Sequence, residues 1–475
     1  MPEPRTWQVA AGSAALGLAL AAGAVAAAGP WDSGQRKAER ARAVSADGRG
    51  GAHHAGAPGA TAPRRPAPAP SAPGVLRALG STPHAPGITR SGDDLAAVLV
   101  PLLADPGLGT LRTASVVDAA TGRPLYGEGA STPMTPASTV KIATTAAALS
   151  ALGPDHRIAT TTVASPDHRT VTLVGGGDPT LDRTRLKALA EATARALKAH
   201  GTTAPAPVRL GYDTSLYKGP QLHPIGRNEN LAPVNALMTD EGRLDGSRSG
   251  PAPRTGDPAG DTAATFARLL EDAGITVHGA PQPAKAPKST PLARTESAPL
   301  ADLVERTLTH SDNDLAEALA RQTALARKQP ASFTGAEKAV HDELARLGLP
   351  LAGARFADGS GLDRRDRVSA ALLTGILTRA ADPARPALRP VLTGLPVGGF
   401  SGTLAGRFGT GAATSGAGLV RAKTGTLTGV NTLAGTVVTA DGRLLAFAFL
   451  AGRTSSPDTA QPALDRLSAA LAPPR

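Results

Sequence analysis

Apolar positions recur every three or four residues over 93–103, 185–199, 300–308, 314–326, 336–347, 370–380 and 458–471, a spacing that predicts helices with one buried face. Ser369 stands where the N-cap of the 370–380 helix belongs, and Ala463, Leu464, Leu467 and Leu471 share one face of the last. Runs with strand character cover 113–118, 157–164, 170–174, 208–212, 431–438 and 443–450, with a turn over 119–123 and a further strand starting at Leu125-Tyr126. The last two runs meet across Thr439-Ala440-Asp441-Gly442, which predicts a hairpin. One segment has a different pattern: residues 142–152 are apolar or small with no charge, preceded by Thr135-Pro136-Ala137-Ser138-Thr139-Val140-Lys141. Thr135 as N-cap and Pro136 as the first helical residue would put Ser138 in the first turn of that helix and Lys141 one turn later on the same face.

The pattern also divides the chain. Residues 9–29 are apolar and uncharged, long enough for a signal-peptide core or a membrane-spanning helix, so residues 1–30 are expected to be a signal peptide or an anchor. The length of the run favours an uncleaved anchor, although Arg36, Lys37, Arg40 and Arg42 follow it against the positive-inside rule. Either way the rest of the chain is expected outside the cytoplasm, in the cell envelope. Residues 31–90, rich in Pro, Ala and Gly, lack an apolar face to bury and predict a disordered tether. The His53-His54 pair within it is assigned no metal. Residues 91–155 and 293–475 then form one domain, and 156–292 an inserted one, because so long a connection needs structure of its own.

Composition changes this picture little. With 41% hydrophobic residues but 3% aromatic, and with 54 Gly and 42 Pro, the core must be packed by Ala and Leu between many loops. The net charge of +11 is scattered, without aromatic-basic repeats or zinc spacing, and predicts a solvated basic surface instead of a nucleic-acid site. Zero cysteines exclude disulfides, thiolate metal sites and a cysteine nucleophile. His341-Asp342-Glu343 has no second histidine at zincin spacing, and no metal or cofactor is expected.

The candidate chemistry lies in three short motifs. A lysine three residues after a serine can take the hydroxyl proton if its amine is kept neutral part of the time, and the helix N-terminus favours a nearby oxyanion. Ser311-Asp312-Asn313 sits between two predicted helices, as a turn that can point side chains into a cleft. Lys423-Thr424-Gly425-Thr426 heads a strand-like run, where Gly425 would let a ligand backbone approach closely. Ser-x-x-Lys, Ser-x-Asn and Lys-Thr-Gly in this order form the motif set of class A β-lactamases and penicillin-binding proteins.

With these motifs, the stretches Gly175-Gly176-Gly177-Asp178-Pro179-Thr180-Leu181, Asp358-Gly359-Ser360-Gly361-Leu362, 395–404 and 421–427 resemble signatures of the peptidase S13 family of D-alanyl-D-alanine carboxypeptidases/endopeptidases, the low-molecular-mass class C penicillin-binding proteins. The resemblance runs from about residue 90 to the C-terminus. It implies an α/β (α+β) transpeptidase-like fold with an inserted β-rich domain, a substrate of peptidoglycan stem peptides ending in D-Ala-D-Ala, and covalent inhibition by β-lactams. It also implies roles: Ser138 as nucleophile, Lys141 as base, Ser311 and Asn313 as catalytic partners, and Lys423, Thr424, Gly425 and Thr426 as the substrate-binding strand. Lys423 is expected to lower the pKa of Lys141 by its charge. The Asp358–Leu362 stretch is expected to be a turn over the cleft without a chemical role. Two alternatives are a β-lactamase, though no Glu-x-x-Leu-Asn lies between the first and third motifs, and a catalytically idle peptidoglycan-binding or β-lactam-sensing module. No Gly-x-Ser-x-Gly elbow occurs.

Overall fold

The computed structural model describes residues 92–199, 207–289 and 291–472; the expected export segment, tether and His53-His54 lie outside them. The chain opens with α1 (Gly92–Leu103), β1 (Leu111–Asp118) and β2 (Pro124–Glu128), then reaches α2 (Lys141–Leu152). A second region holds β3 (Ala159–Ala164), β4 (Thr170–Val174), α3 (Arg183–Ala199), β5 (Arg209–Asp213), α4 (Pro258–Asp272), β6 (Gln282–Pro283) and β7 (Ala293–Glu296). There follow α5 (Leu300–His310), α6 (Asn313–Ala326), α7 (Phe333–Arg346), α8 (Ala370–Ala381), the short α9 (Pro390–Thr393), β8 (Val420–Leu427), β9 (Val430–Val438), β10 (Leu444–Gly452) and α10 (Pro457–Ala469).

The first sheet is antiparallel with order β2-β1-β10-β9-β8, so β8 is an edge strand. Its core follows from the period of two along β10. Leu445, Phe447, Phe449 and Ala451 pack with α1 and α10, while Ala446, Ala448 and Leu450 face the cluster built by α2 and α5 to α8. Small residues on that second face let α8 lie close to the sheet, and α2 packs among α5, α6, α7 and α8, buried from Lys141 through Leu149. A helix covered on every side needs the uncharged composition of 142–152. Each large apolar side chain buried here contributes roughly 1.5–3 kcal/mol.

The second sheet has order β6-β5-β4-β3-β7, with β4, β5 and β6 parallel and β3 antiparallel to both neighbours. The parallel pairs need crossovers, which α3 and α4 supply. This region is therefore as helical as it is stranded, and α4 corresponds to no helix in the sequence reading. Asp257 caps it by accepting from Gly260 N, and Pro258 occupies its first turn. Among the described residues no helix is long and apolar enough to cross a membrane.

Candidate active site

Ser138 does not lie in the first turn of α2 as its spacing predicts. It sits in a 3₁₀ turn, Ala137–Val140, immediately before the helix, and Thr135 caps nothing. The Thr135 hydroxyl instead accepts from Arg367 Nη1 (2.9 Å). The reason is tertiary: the Pro136 carbonyl is claimed by Thr432 Oγ1 of β9 (2.8 Å) and by Thr139 Oγ1 (2.7 Å). Ala137 is forced to φ +48°, and such a backbone costs about 1–3 kcal/mol outside glycine.

Lys141 is fully buried, and its amine donates to Ser138 Oγ (3.1 Å), Asn313 Oδ1 (2.7 Å) and the Ser360 carbonyl (2.5 Å). Burial lowers its pKa to about 8, against the opposing pull of Asp358, Asp312, Glu317 and Asp366. The amine is thus hydrogen-bonded to the serine hydroxyl and carries a pKa at which it can exchange a proton near neutral pH.

The Ser360 contact gives the Asp358–Leu362 stretch a part in the site that the sequence reading denied it. Asp358 binds its own turn, accepting from Gly361 N (2.6 Å), Asp363 N (2.8 Å) and Ser360 Oγ (3.0 Å). The turn wedges between α6 and the serine turn because it carries glycines. A Cβ on Gly359 would stand 2.5 Å from the Ala316 carbonyl oxygen, and one on Gly361 would stand 2.1 Å from that of Ala137.

Ser311 caps the end of α5 in the left-handed region (φ +59°), and Asp312 caps α6 by accepting from Leu315 N (3.0 Å). Between these caps the chain turns sharply enough to direct Asn313 at Lys141. One Nδ2 hydrogen of Asn313 goes to the Asn230 carbonyl (3.0 Å), leaving the other for a ligand. Across the cleft, β8 carries Lys423 to Thr426. Lys423 is buried and donates to the Thr424 carbonyl (2.8 Å); burial and the Lys141 charge push its ammonium well below the ordinary value. The two buried amines repel each other, so the positive charge of either disfavours that of the other. Gly425 also serves a different contact from the one expected. A Cβ there would meet Thr432 Oγ1 at 2.2 Å and the Pro136 carbonyl oxygen at 2.7 Å, so its first use is to let β8 close on the serine turn.

Ser138, Ser311, Asn313, Thr424 and Thr426 line one cleft of about 400 Å³ with Thr403, Leu362, Asn230, Arg243 and Arg254. The two arginines come from the segment between β5 and α4 and were not singled out in the sequence. Arg254 Nη1 lies 2.8 Å from Asp314 Oδ2, with both side chains buried, and Ala232 N donates to Asp314 Oδ1 (3.0 Å). Thr424 Oγ1 donates to Thr403 Oγ1 (2.9 Å), tying the edge strand to the 395–404 stretch.

A sheet backed by helices on both faces, with Ser-x-x-Lys at its edge strand, defines the penicillin-binding-protein/β-lactamase-like fold. The chain belongs to the peptidase S13 family: the model of the D-Ala-D-Ala carboxypeptidase 3 (S13) family matches residues 95–253 and 248–471. Carboxypeptidase DacB of Mycolicibacterium smegmatis is 38% identical over 409 residues, 82% of this chain and 85% of that one. The D-alanyl-D-alanine carboxypeptidase of an Actinomadura strain is 30% identical over an alignment of 515 positions that covers 89% of this chain and 91% of that one. Among solved structures, penicillin binding protein 4 (dacB) from Haemophilus influenzae matches in fold with a TM-score of 0.63 at 23% identity, over 80% of this chain and 97% of that one.

Proposed function

We propose that the protein is a serine-type D-Ala-D-Ala carboxypeptidase that cuts peptidoglycan stem peptides through an acyl-enzyme on Ser138. The observation that carries this reading is the Lys141 amine, buried and hydrogen-bonded to the Oγ of Ser138, which lines the cleft. Ser138 Oγ attacks the carbonyl of the penultimate D-alanine while Lys141 takes its proton. The oxyanion is received by the backbone N–H groups of Ser138 and Thr426, donors typically worth about 2.7–4 kcal/mol each. Ser311 passes a proton to the nitrogen of the departing D-alanine. Asn313 holds Lys141 through Oδ1 and offers its free Nδ2 hydrogen to the substrate. The hydroxyls of Thr424 and Thr426 bind the terminal carboxylate, and Lys423 supports the strand that presents them. Water then releases the acyl group. A β-lactam carries a strained amide in the same place and leaves a longer-lived ester on Ser138. The family membership supports this reading, as do relatives named for D-alanyl-D-alanine carboxypeptidase activity and a structural neighbour solved with a β-lactam.

The substrate class and the apolar run at 9–29 together support a place in the cell envelope, with the enzyme exported and held by, or cleaved from, that segment. The direct test is incubation of the protein with a pentapeptide ending in D-Ala-D-Ala. Release of one equivalent of D-alanine, abolished in Ser138→Ala, is expected. No release from folded wild-type protein would contradict the assignment.

A further inference from the structure

His223 lies in the irregular segment between β5 and α4, far in sequence from every motif, and yet its side chain is buried against the Asp358 turn. Its Nε2 is 2.9 Å from Asp358 Oδ2, and its Nδ1 accepts from Ile225 N (3.2 Å). With Nδ1 occupied as an acceptor, Nε2 carries the ring proton and donates it to Asp358. The imidazole is fixed edge-on to Phe333, with ring centroids 5.5 Å apart, and the Arg321 guanidinium lies over the same Phe333 ring, 4.2 Å from its centroid. The next links run to the reacting atoms. Asp358 fixes its turn by three further bonds, Glu317 Oε1 accepts from Gly359 N (2.9 Å) and Ser360 N (3.0 Å), and the Ser360 carbonyl receives Lys141.

Resting on the acyl-enzyme reading, we propose that His223 is a positioning residue for the Ser138–Lys141 pair. By donating to Asp358 it holds the turn that receives the Lys141 amine and offsets the carboxylate charge that this amine faces. Charged groups approach His223 and Lys141 from several elements, among them Asp363, which is paired with Arg365 and also acts on the imidazole. Asp358 and Asp366 come from the turn, Glu317 from α6 with its partner Arg321, Asp312 from the cap with Arg306, and Lys423 from β8. Asp366 is pushed well above the carboxylate range by burial and by Asp358, which leaves Asp358 as the negative charge His223 addresses. Burial works to lower the imidazole pKa, and the Asp358 bond with the Glu317 and Asp358 charges outweighs it, so the net shift is upward. Nε2 donates in either protonation state, so the sign of the effect does not depend on it. Without the donor, the field of Asp358 at Lys141 is stronger and the ammonium is favoured.

The test is an NMR titration of Lys141 in the full chain carrying ¹³C at lysine Cε, the resonance assigned with Lys141→Arg. The wild-type midpoint near 8 should rise by about one pH unit in His223→Leu. In His223→Gln, whose amide can still donate, it should stay near the wild-type value. Asp358→Asn removes the charge and should lower it, and serves if the leucine variant does not fold. An unchanged midpoint in folded His223→Leu, an equal rise in the glutamine variant, or no fall in Asp358→Asn would each overturn the proposal. The acidic limb of penicillin acylation should move with the NMR midpoint. A purely structural role would lower acylation at every pH without moving the limb, and is excluded by that shift. Wild-type protein that penicillin never acylates would defeat the acyl-enzyme reading alone, because the titration of Lys141 still decides the role of His223.

Discussion

Gly425 of the edge strand lies against the serine turn so closely that a Cβ on it would stand 3.1 Å from Ser138 N. The residue thus sets the separation of the two walls of the cleft. A methyl group must push β8 outward or displace Pro136 and Ser138, and a misplacement of about 1 Å at a reacting group can cost on the order of 10²-fold. Gly425→Ala should lower the second-order rate of penicillin acylation by about that factor, with a lowered melting temperature because the overpacked contact costs about 1–3 kcal/mol. Stopped-flow or gel-based acylation kinetics reads the first quantity and calorimetry the second. Wild-type acylation in this variant would remove the packing role.

In the proposed mechanism the Lys141 amine takes the serine proton only when neutral, and burial lowers its pKa to about 8. The acylation rate should therefore rise with pH on a limb with a midpoint near 8 and fall about tenfold per unit well below it. Lys141→Arg keeps a cation that does not deprotonate, and should lose about 10²–10⁴-fold in acylation at every pH. A pH–rate profile with no limb between 7 and 9 would show that another group takes the serine proton.

Asn313→Asp replaces the amide oxygen at 2.7 Å from Lys141 Nζ with a carboxylate. An opposite charge at that distance favours the ammonium, so the acidic limb should move upward, by about one unit or more. The same change removes the hydrogen given to the Asn230 carbonyl, and a modest loss of thermal stability should accompany it. The pH–rate profile of the variant checks the direction.

Arg254 and Asp314 form a buried pair that fastens the segment before α4 to the first turn of α6. Removing one partner strands the other, and Arg254→Ala should destabilise the fold by about 3–5 kcal/mol. An apolar pair, Arg254→Met with Asp314→Leu, should recover much of that loss, since both charges leave together. Urea unfolding of the single and double variants measures the cycle.

The three motifs were legible because two of them are local. Ser138 and Lys141 need only a helical turn to meet, and Lys423 to Thr426 lie along one strand. The bond from Lys141 to Asn313 could be anticipated only through the motif order. What stayed hidden was made by long-range contact: Ser360 reaches Lys141 across 219 positions and His223 reaches Asp358 across 135, with no periodicity to announce either. The spacing Gly359-Ser360-Gly361 did carry a signal, since two glycines around one residue mark a backbone that must pass close to others. Helix α4 likewise carried its capping aspartate and first-turn proline, yet stood among irregular stretches whose conformation is set by partners such as Asp314. The error at Thr135 has the same origin, because the capping preference of a threonine yields when Thr432 of β9 claims the carbonyl of the following residue, Pro136.

The most direct test of the central claim is mass spectrometry of the protein after brief exposure to penicillin. The account predicts a single adduct of one penicillin per chain, on the peptide containing Ser138, absent in Ser138→Ala. An adduct on another residue, or folded wild-type protein that stays unmodified at saturating penicillin, would contradict it.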